Sequence, residues 1–247
     1  MTFDRTTIFV ALALLLAAFV KGTTGLGFPM IATPMVAMLL DIRTAITILV
    51  IPNILMDFAQ ILRGGFPSAV LRRFAWLLVL SVVGVFLGTK LLVMLPIWIL
   101  NFTLGIMVLM FVSSQWIRFD FTISTNREQI VSPVVGLAAG FLNGMTNVAG
   151  PPLAMYLYSL KLPKLEFIKS IATIFVVTKA SQLVAVSTWN LFTPQTLFLS
   201  LEVTVVVLLG FYAGLKTQDR IHQQTFNRWL LAFLFATGIT LVIRSLR

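Results

Sequence analysis

Apolar residues run along the chain in ten stretches, roughly 7–20, 28–40, 44–62, 73–93, 97–116, 131–143, 150–160, 167–187, 195–215 and 228–246. Crossing ~30 Å of hydrocarbon takes about 20 helical residues at ~1.5 Å each. Six of the stretches meet that length: 44–62, 73–93, 97–116, 167–187, 195–215 and 228–246. The other four are short and fall into two pairs. Each pair is joined by a break rich in Gly, Thr, Asn and Pro, at Lys21–Pro29 and at Asn143–Pro152. Apolar helices this short are typical of re-entrant segments. The first stretch, preceded by Arg5 and followed by small residues, has the outline of a signal peptide. It lacks a convincing A-x-A cleavage site and its break recurs later, so it reads as mature structure.

The recurrence is gapless. Offset by 122 positions, Phe19-Val-Lys-Gly-Thr-Thr-Gly-Leu-Gly-Phe-Pro29 aligns with Phe141-Leu-Asn-Gly-Met-Thr-Asn-Val-Ala-Gly-Pro151. Phe19/Phe141, Gly22/Gly144, Thr24/Thr146, Pro29/Pro151 and Ala32/Ala154 are identical, and the same offset matches Gln60 with Gln182 and Gly88 with Gly210. A Gly-x-Thr-x4-Pro break recurring between two short helices marks an internal repeat. The expected architecture is an all-α integral membrane protein with two inverted-topology repeats. Each repeat is a short-helix re-entrant pair (7–40 and 131–160) plus three long transmembrane helices. The repeats occupy 1–120 and 131–247, joined by a cytoplasmic linker at 121–130.

Composition makes the membrane unavoidable. Of 247 residues, 59% are hydrophobic and 11% charged, against about a quarter charged in a soluble domain. The formal charge of +10 would point to nucleic acid in a soluble protein, but here it reads as cytoplasmic loops and no nucleic-acid partner is expected. Basic residues crowd four connections: Arg63, Arg72 and Arg73; Arg118 and Arg127; Lys161, Lys164 and Lys169; Lys216, Arg220 and Arg228. Connections 94–96 and 188–194 carry none. Assigning the loaded loops to the cytoplasm places 11 of the 18 basic residues inside and both termini outside, with Arg5, Arg43, Arg244 and Arg247 on the opposite side. The halves then run in opposite senses, and the tips of the two hairpins meet near the midplane. Trp76, Trp98, Trp116, Trp189 and Trp229 fall at or near span ends, as an aromatic belt does. No cysteine and one histidine, His222, leave no Cys/His metal site, and no cofactor is implied.

The breaks carry the candidate chemistry. Irregular backbone at membrane depth is tolerated only where protein or a water-filled cavity satisfies it. Gly22, Gly25, Gly27, Gly144 and Gly150 permit turns and close approach, and Pro29, Pro151 and Pro152 suit restarting helices. Free N–H groups and the helix dipole at such starts favour an anion. Lys21 adds a cation, while Thr23, Thr24, Asn143, Thr146 and Asn147 add neutral hydrogen-bonding groups. Together these suit a small oxyanion. Against this stand a helix-crossing point built of small residues and a Lys21 that snorkels to an interface.

Asp57 lies inside the span 44–62, Lys179 inside 167–187 and Glu202 inside 195–215, and an ionisable residue within a span is a functional-site candidate by default. Asp57 and Lys179 are related by the 122-residue offset, with Gln60 and Gln182 a turn further on. Inversion separates Asp57 and Lys179 by about 10 Å in depth, which leaves a direct ion pair open. Asp57 paired with a loop arginine is the local alternative. Lys179 and Gln182, with Lys21 and Gln60, complete the candidate anion site, and Asp57 and Glu202 are candidate proton carriers. Glu202, nearer a helix start, has capping or pairing as its alternative.

Gly22-Thr-Thr-Gly-Leu-Gly-Phe-Pro29 and Gly144-Met-Thr-Asn-Val-Ala-Gly-Pro-Pro152, the duplicated helices and the length resemble the TauE/SafE family of sulfite and organosulfonate transporters over nearly the whole chain. The second break has Asn147 and Ala149 where that family more usually has glycine. The resemblance implies an inner-membrane carrier of sulfur-containing anions such as sulfite or sulfoacetate, working in a lipid bilayer as a monomer or homo-oligomer. The residues themselves imply an anion transporter. An anion channel would share the broken helices. An intramembrane lipid-phosphate enzyme has no supporting motif, since His222 lies in a loop and the acids are scattered. No nucleotide-binding Gly-x4-Gly-Lys-Ser/Thr is present.

Overall fold

The computed structural model describes residues 5–64, 67–114, 123–217 and 223–246. Among them every regular element is a helix: α1 Arg5–Thr24, α2 Phe28–Leu39, α3 Ile42–Gly64, α4 Ser68–Arg73, α5 Ala75–Met94, α6 Ile97–Ser114, α7 Thr125–Thr146, α8 Gly150–Ser159, α9 Lys164–Thr188, α10 Pro194–Thr217 and α11 Gln223–Ser245. Trp116, Arg118, Arg220 and His222 lie outside the described residues. Among the described residues five helices are long and apolar enough to cross a bilayer, over Ile42–Leu62, Ala75–Met94, Arg127–Thr146, Leu165–Thr188 and Pro194–Thr217.

Two lengths differ from the hydrophobic pattern. The first helix of each pair has 20 residues (α1) and 22 (α7), where the apolar runs 7–20 and 131–143 predict 14 and 13. The polar residues at their ends do not stop them. Thr23 and Thr24 both donate to the Val20 carbonyl, at 2.8 and 2.9 Å, and Thr146 donates to that of Leu142 at 2.8 Å, so each hydroxyl is satisfied within its own helix. The irregular stretches therefore shrink to Gly25–Gly27 and 147–149. The second helices remain short, 12 residues in α2 and 10 in α8. The run at 73–93 opens two residues late as a helix, because Arg73 ends α4 and Phe74 separates α4 from α5.

Packing crosses between the halves. α1 lies on α10 and α7 on α5; α3 meets α9, and α6 meets α11; α2 packs on α1 and α3, and α8 on α7 and α9. For these pairs, exchanging each helix for the one about 122 residues away returns the same contacts. Both crossed contacts are sealed by glycine. A Cβ on Gly22 would collide with the Phe211 carbonyl and come within 2.9 Å of Gly214 Cα. One on Gly144 would collide with the Val85 carbonyl and come within 2.7 Å of the Thr89 nitrogen. Small residues let membrane helices approach this closely.

Polarity is inverted relative to a soluble fold. Leu12, Trp76, Phe198, Val205 and Leu209 are exposed on the outside, while Lys21, Asn53, Asp57, Asn143, Lys179 and Gln182 are fully buried. Trp98 and Trp189 are also exposed at helix ends. Two of the inner features satisfy backbone. Pro52, inside α3, has no N–H to offer the Ile48 carbonyl, and Ser200 of α10 donates to that carbonyl at 2.8 Å. Arg43 caps the end of α5, donating to the carbonyls of Leu92 (2.9 Å), Val93 (3.0 Å) and Leu95 (2.8 Å). This gives Arg43 a structural task that the loop-charge pattern did not explain. At the α4 end, Arg73 makes a bidentate pair with Glu128 of α7 at 2.8 and 2.9 Å, and that hydrogen-bonded carboxylate raises the guanidinium pKa further.

Two measurements test this packing. Gly22→Ala and Gly144→Ala each force backbone apart, so each should lower stability by about 1–3 kcal/mol, read as a lower Tm in detergent. Ser200→Ala uncovers the Ile48 carbonyl and should cost about 1–3 kcal/mol; Ser200→Thr should retain most of the stability.

Candidate functional site

Both breaks follow one backbone recipe. α1 ends with the Gly25 N–H on the Lys21 carbonyl at 2.8 Å, and α7 with the Asn147 N–H on the Asn143 carbonyl at 2.9 Å. Gly25 and Asn147 occupy equivalent positions and both are left-handed, at φ +83° and +66°. Asparagine is one of the few residues with a Cβ that tolerates this region, so Asn147 keeps the turn that glycine makes in the first break. Two residues on the equivalence fails: Gly27 is left-handed at φ +98°, whereas Ala149 is at −106°. The third helix of each half steadies the end of the first. Gln60 of α3 donates to the Lys21 carbonyl at 3.3 Å, and Gln182 of α9 to the Asn143 carbonyl at 2.8 Å.

On this common frame the two halves carry different charges. Lys21 is fully buried at the end of α1, so it does not snorkel. Its ammonium is 2.7 Å from Asp57 Oδ1, also donates to Asn53 Oδ1, and lies 5.7 Å from the centre of the Phe175 ring. Asp57 is thus paired with Lys21, and neither a loop arginine nor Lys179 is its direct partner. Lys179 is equally buried but meets no carboxylate: Nζ donates to Asn147 Oδ1, to Gln182 Oε1 at 2.9 Å and, at 3.5 Å, to the Asn147 carbonyl. Three acceptors around one nitrogen match the three donors of an ammonium. Asp57 and Lys179 interact electrostatically without touching.

The second break is also stitched to the first half. Asn147 donates from Nδ2 to Thr33 Oγ1 of α2 at 2.8 Å, and Asn143 donates to Gln182 Oε1 at 3.3 Å. The side chain of Met30, in the first turn of α2, lies against Gly150 in the first turn of α8. Asp57 Oδ2, Gln60 Oε1, Asn143 Oδ1 and Asn53 Nδ2 are buried and have no hydrogen-bond partner among the described residues. Buried polar atoms are seldom left so, and these four stand free to engage a polar ligand.

Of the residues singled out from sequence, Lys21, Asp57 and Gln60 form one bonded cluster and Asn143, Asn147, Lys179 and Gln182 a second. Gly22 and Gly144 lie within helices and pack against α10 and α5. Thr23, Thr24 and Thr146 return their hydroxyls to helix carbonyls, and Thr24 also accepts from the Leu26 N–H at 3.1 Å. Gly25 and Gly27 shape the first break. Glu202, partly buried in the third turn of α10, makes no ion pair with either lysine among the described residues. The helix starts offer fewer donors than expected: α8 opens Gly150-Pro151-Pro152, where only glycine has an N–H. Neither α2 nor α8 has a side-chain cap. Asn53 and Thr33 were not singled out. Asn53 was detectable, since Asn53, Asp57 and Gln60 follow helical spacing along one face of an otherwise apolar segment; Thr33 leaves no such trace.

Searches of curated proteins and of solved structures returned no match to this chain. The family model described as sulfite exporter TauE/SafE, in contrast, matches residues 10–241. Taken with the all-helical, lipid-facing fold, a match over nearly the whole length makes the chain a member of the TauE/SafE sulfite exporter family.

Proposed function

We propose that this protein is a secondary transporter that moves a small sulfur-containing anion, such as sulfite or an organosulfonate, by alternating access. The observation that carries this reading is Lys179: a fully buried ammonium beside a helix break, held by neutral acceptors alone. A charge so placed has given up its hydration without gaining a counter-ion, and an anion supplies one. Asn147, Gln182 and Asn143 surround it with neutral groups that orient an oxyanion. Lys21, being neutralised by Asp57, contributes through the pair and not as a free cation. Asp57 is the proposed proton carrier; Glu202, away from the lysines, is the weaker candidate. Gly25 and Gly27 keep the first break open to close approach, while Gly22, Gly144, Thr23, Thr24 and Thr146 support the frame.

The exchange-invariant packing of the helices supports two repeats, 1–120 and 131–247, joined by a linker at 121–130. The hairpin of each repeat then rocks against the three longer helices. Crossed packing suits this, since α1 and α7 ride on helices of the opposite half. The charge asymmetry of the loops supports a cell inner membrane with both termini outside the cytoplasm.

The reading is tested in proteoliposomes. Lys179→Ala should abolish saturable uptake or efflux of sulfite and of a sulfonate while the purified variant still elutes as a folded species. Unchanged transport would remove Lys179 from the site. Asn147→Gly retains the left-handed turn but loses the Lys179 and Thr33 contacts, so it should fold and show at least a tenfold weaker apparent affinity. A screen of sulfur oxyanions should raise the Tm of wild type by mass action and leave that of Lys179→Ala unmoved.

A further inference from the structure

The proposed anion site has a countable charge. Among the described residues Lys21, Asp57 and Lys179 are the charged side chains that are fully buried. Each of the three interacts electrostatically with members of this same set. The helices packed on α3 add nothing to the sum. α2 and α6 carry no charged side chain. On α10, Glu202 is partly exposed and makes no ion pair with Lys21 or Lys179 among the described residues, and Lys216 lies over the Tyr212 ring at 4.6 Å. On α9, Lys164, Glu166 and Lys169 stand at least ten residues before Lys179, toward the start of the helix. With the Lys179 nitrogen held as an ammonium by its three acceptors, two ammoniums and one carboxylate give the set a single uncompensated positive charge.

Resting on the transporter reading above, we infer that the site is built for a monoanion, and that a dianion enters only together with one proton, taken up by Asp57. The reason is Coulombic. In a medium with little water, a bound anion that exactly offsets the enclosed charge costs least, and each unit of mismatch is penalised far more than at a surface. A singly charged sulfonate or hydrogensulfite neutralises the set as it stands. A dianion leaves one negative charge too many unless a proton from solvent adds to a carboxylate. Asp57 has the atom for it: Oδ1 is held by Lys21, whereas Oδ2 is buried and has no hydrogen-bond partner among the described residues. Protonated there, Asp57 becomes a donor toward an anion oxygen and leaves both lysines to face the dianion. Discrimination thus comes from charge count more than from shape, which two tetrahedral oxyanions share.

The test uses two probes of nearly equal size and fixed charge, methanesulfonate and sulfate, titrated calorimetrically into purified protein in several buffers at neutral pH. Wild type should bind methanesulfonate at least tenfold more tightly than sulfate. Sulfate binding should take up close to one proton, read from the dependence of heat on buffer ionisation, and methanesulfonate binding none. Asp57→Asn raises the enclosed charge by one, so the ratio should move at least tenfold toward sulfate and the proton uptake should vanish. Should Lys21 left unpaired prevent that variant from folding, Lys21→Met with Asp57→Asn keeps the charge at one. That double variant should keep the preference for methanesulfonate but bind sulfate without proton uptake. Equal binding of both probes to wild type with no proton uptake, or uptake that persists in either variant, overturns the inference and leaves the transporter reading intact. Failure of wild type to bind methanesulfonate, sulfate or sulfite overturns the anion site itself.

Discussion

A bilayer core holds no water for a stranded charge, and the Lys21–Asp57 pair is the place where this protein meets that constraint. The pair joins the end of α1 to the middle of α3, so the first helix must stop where its ammonium reaches the carboxylate. Gly25 turns the chain away at that point, and Gln60, one turn beyond Asp57, donates to the Lys21 carbonyl in the last turn. Removing either partner would leave the other buried and uncompensated, a penalty of ~3–5 kcal/mol in proteins generally. The close glycine contact of α1 with α10 then holds the helix at the depth the pair requires.

The second half reuses this frame for a different electrostatic purpose. Gln182 repeats Gln60, Thr146 repeats Thr24, and Asn147 repeats the left-handed turn of Gly25. The charges do not repeat: Asn143 stands where Lys21 does, Lys179 where Asp57 does, and Phe175 where Asn53 does. A symmetric scaffold therefore encloses an asymmetric set, paired on one side and unpaired on the other. On the proposed transporter reading, such an arrangement gives the anion site a direction while the frame around it keeps two equivalent packings.

Much of this was legible in the order of residues. The long apolar runs at 44–62, 73–93, 167–187 and 195–215 coincide with helices long and apolar enough to cross a bilayer, because lipid demands a simple match of length to thickness. The recurrence of Gly-x-Thr-x4-Pro located both breaks. What misled was treating every polar residue there as irregular. Lys21 to Thr24 and Asn143 to Thr146 are helical, since threonine hydroxyls can return to their own helix and backbone bonds are too costly to forgo in hydrocarbon. Gly22 and Gly144 looked like turn residues and proved to be contact surfaces, a distinction that depends on which helix lies opposite.

Composition and spacing along one dimension are enough to show a membrane protein, to locate its two Gly/Pro breaks and to place Asp57 and Lys179 within apolar stretches. Which partner each buried lysine takes depends on packing in three dimensions. Lys21 is 36 positions from Asp57 and Lys179 is 32 from Asn147, and no local rule couples such distances. The pairing follows from how α1 and α7 pack on helices of the opposite half, and from a left-handed asparagine that swings one amide toward the second lysine.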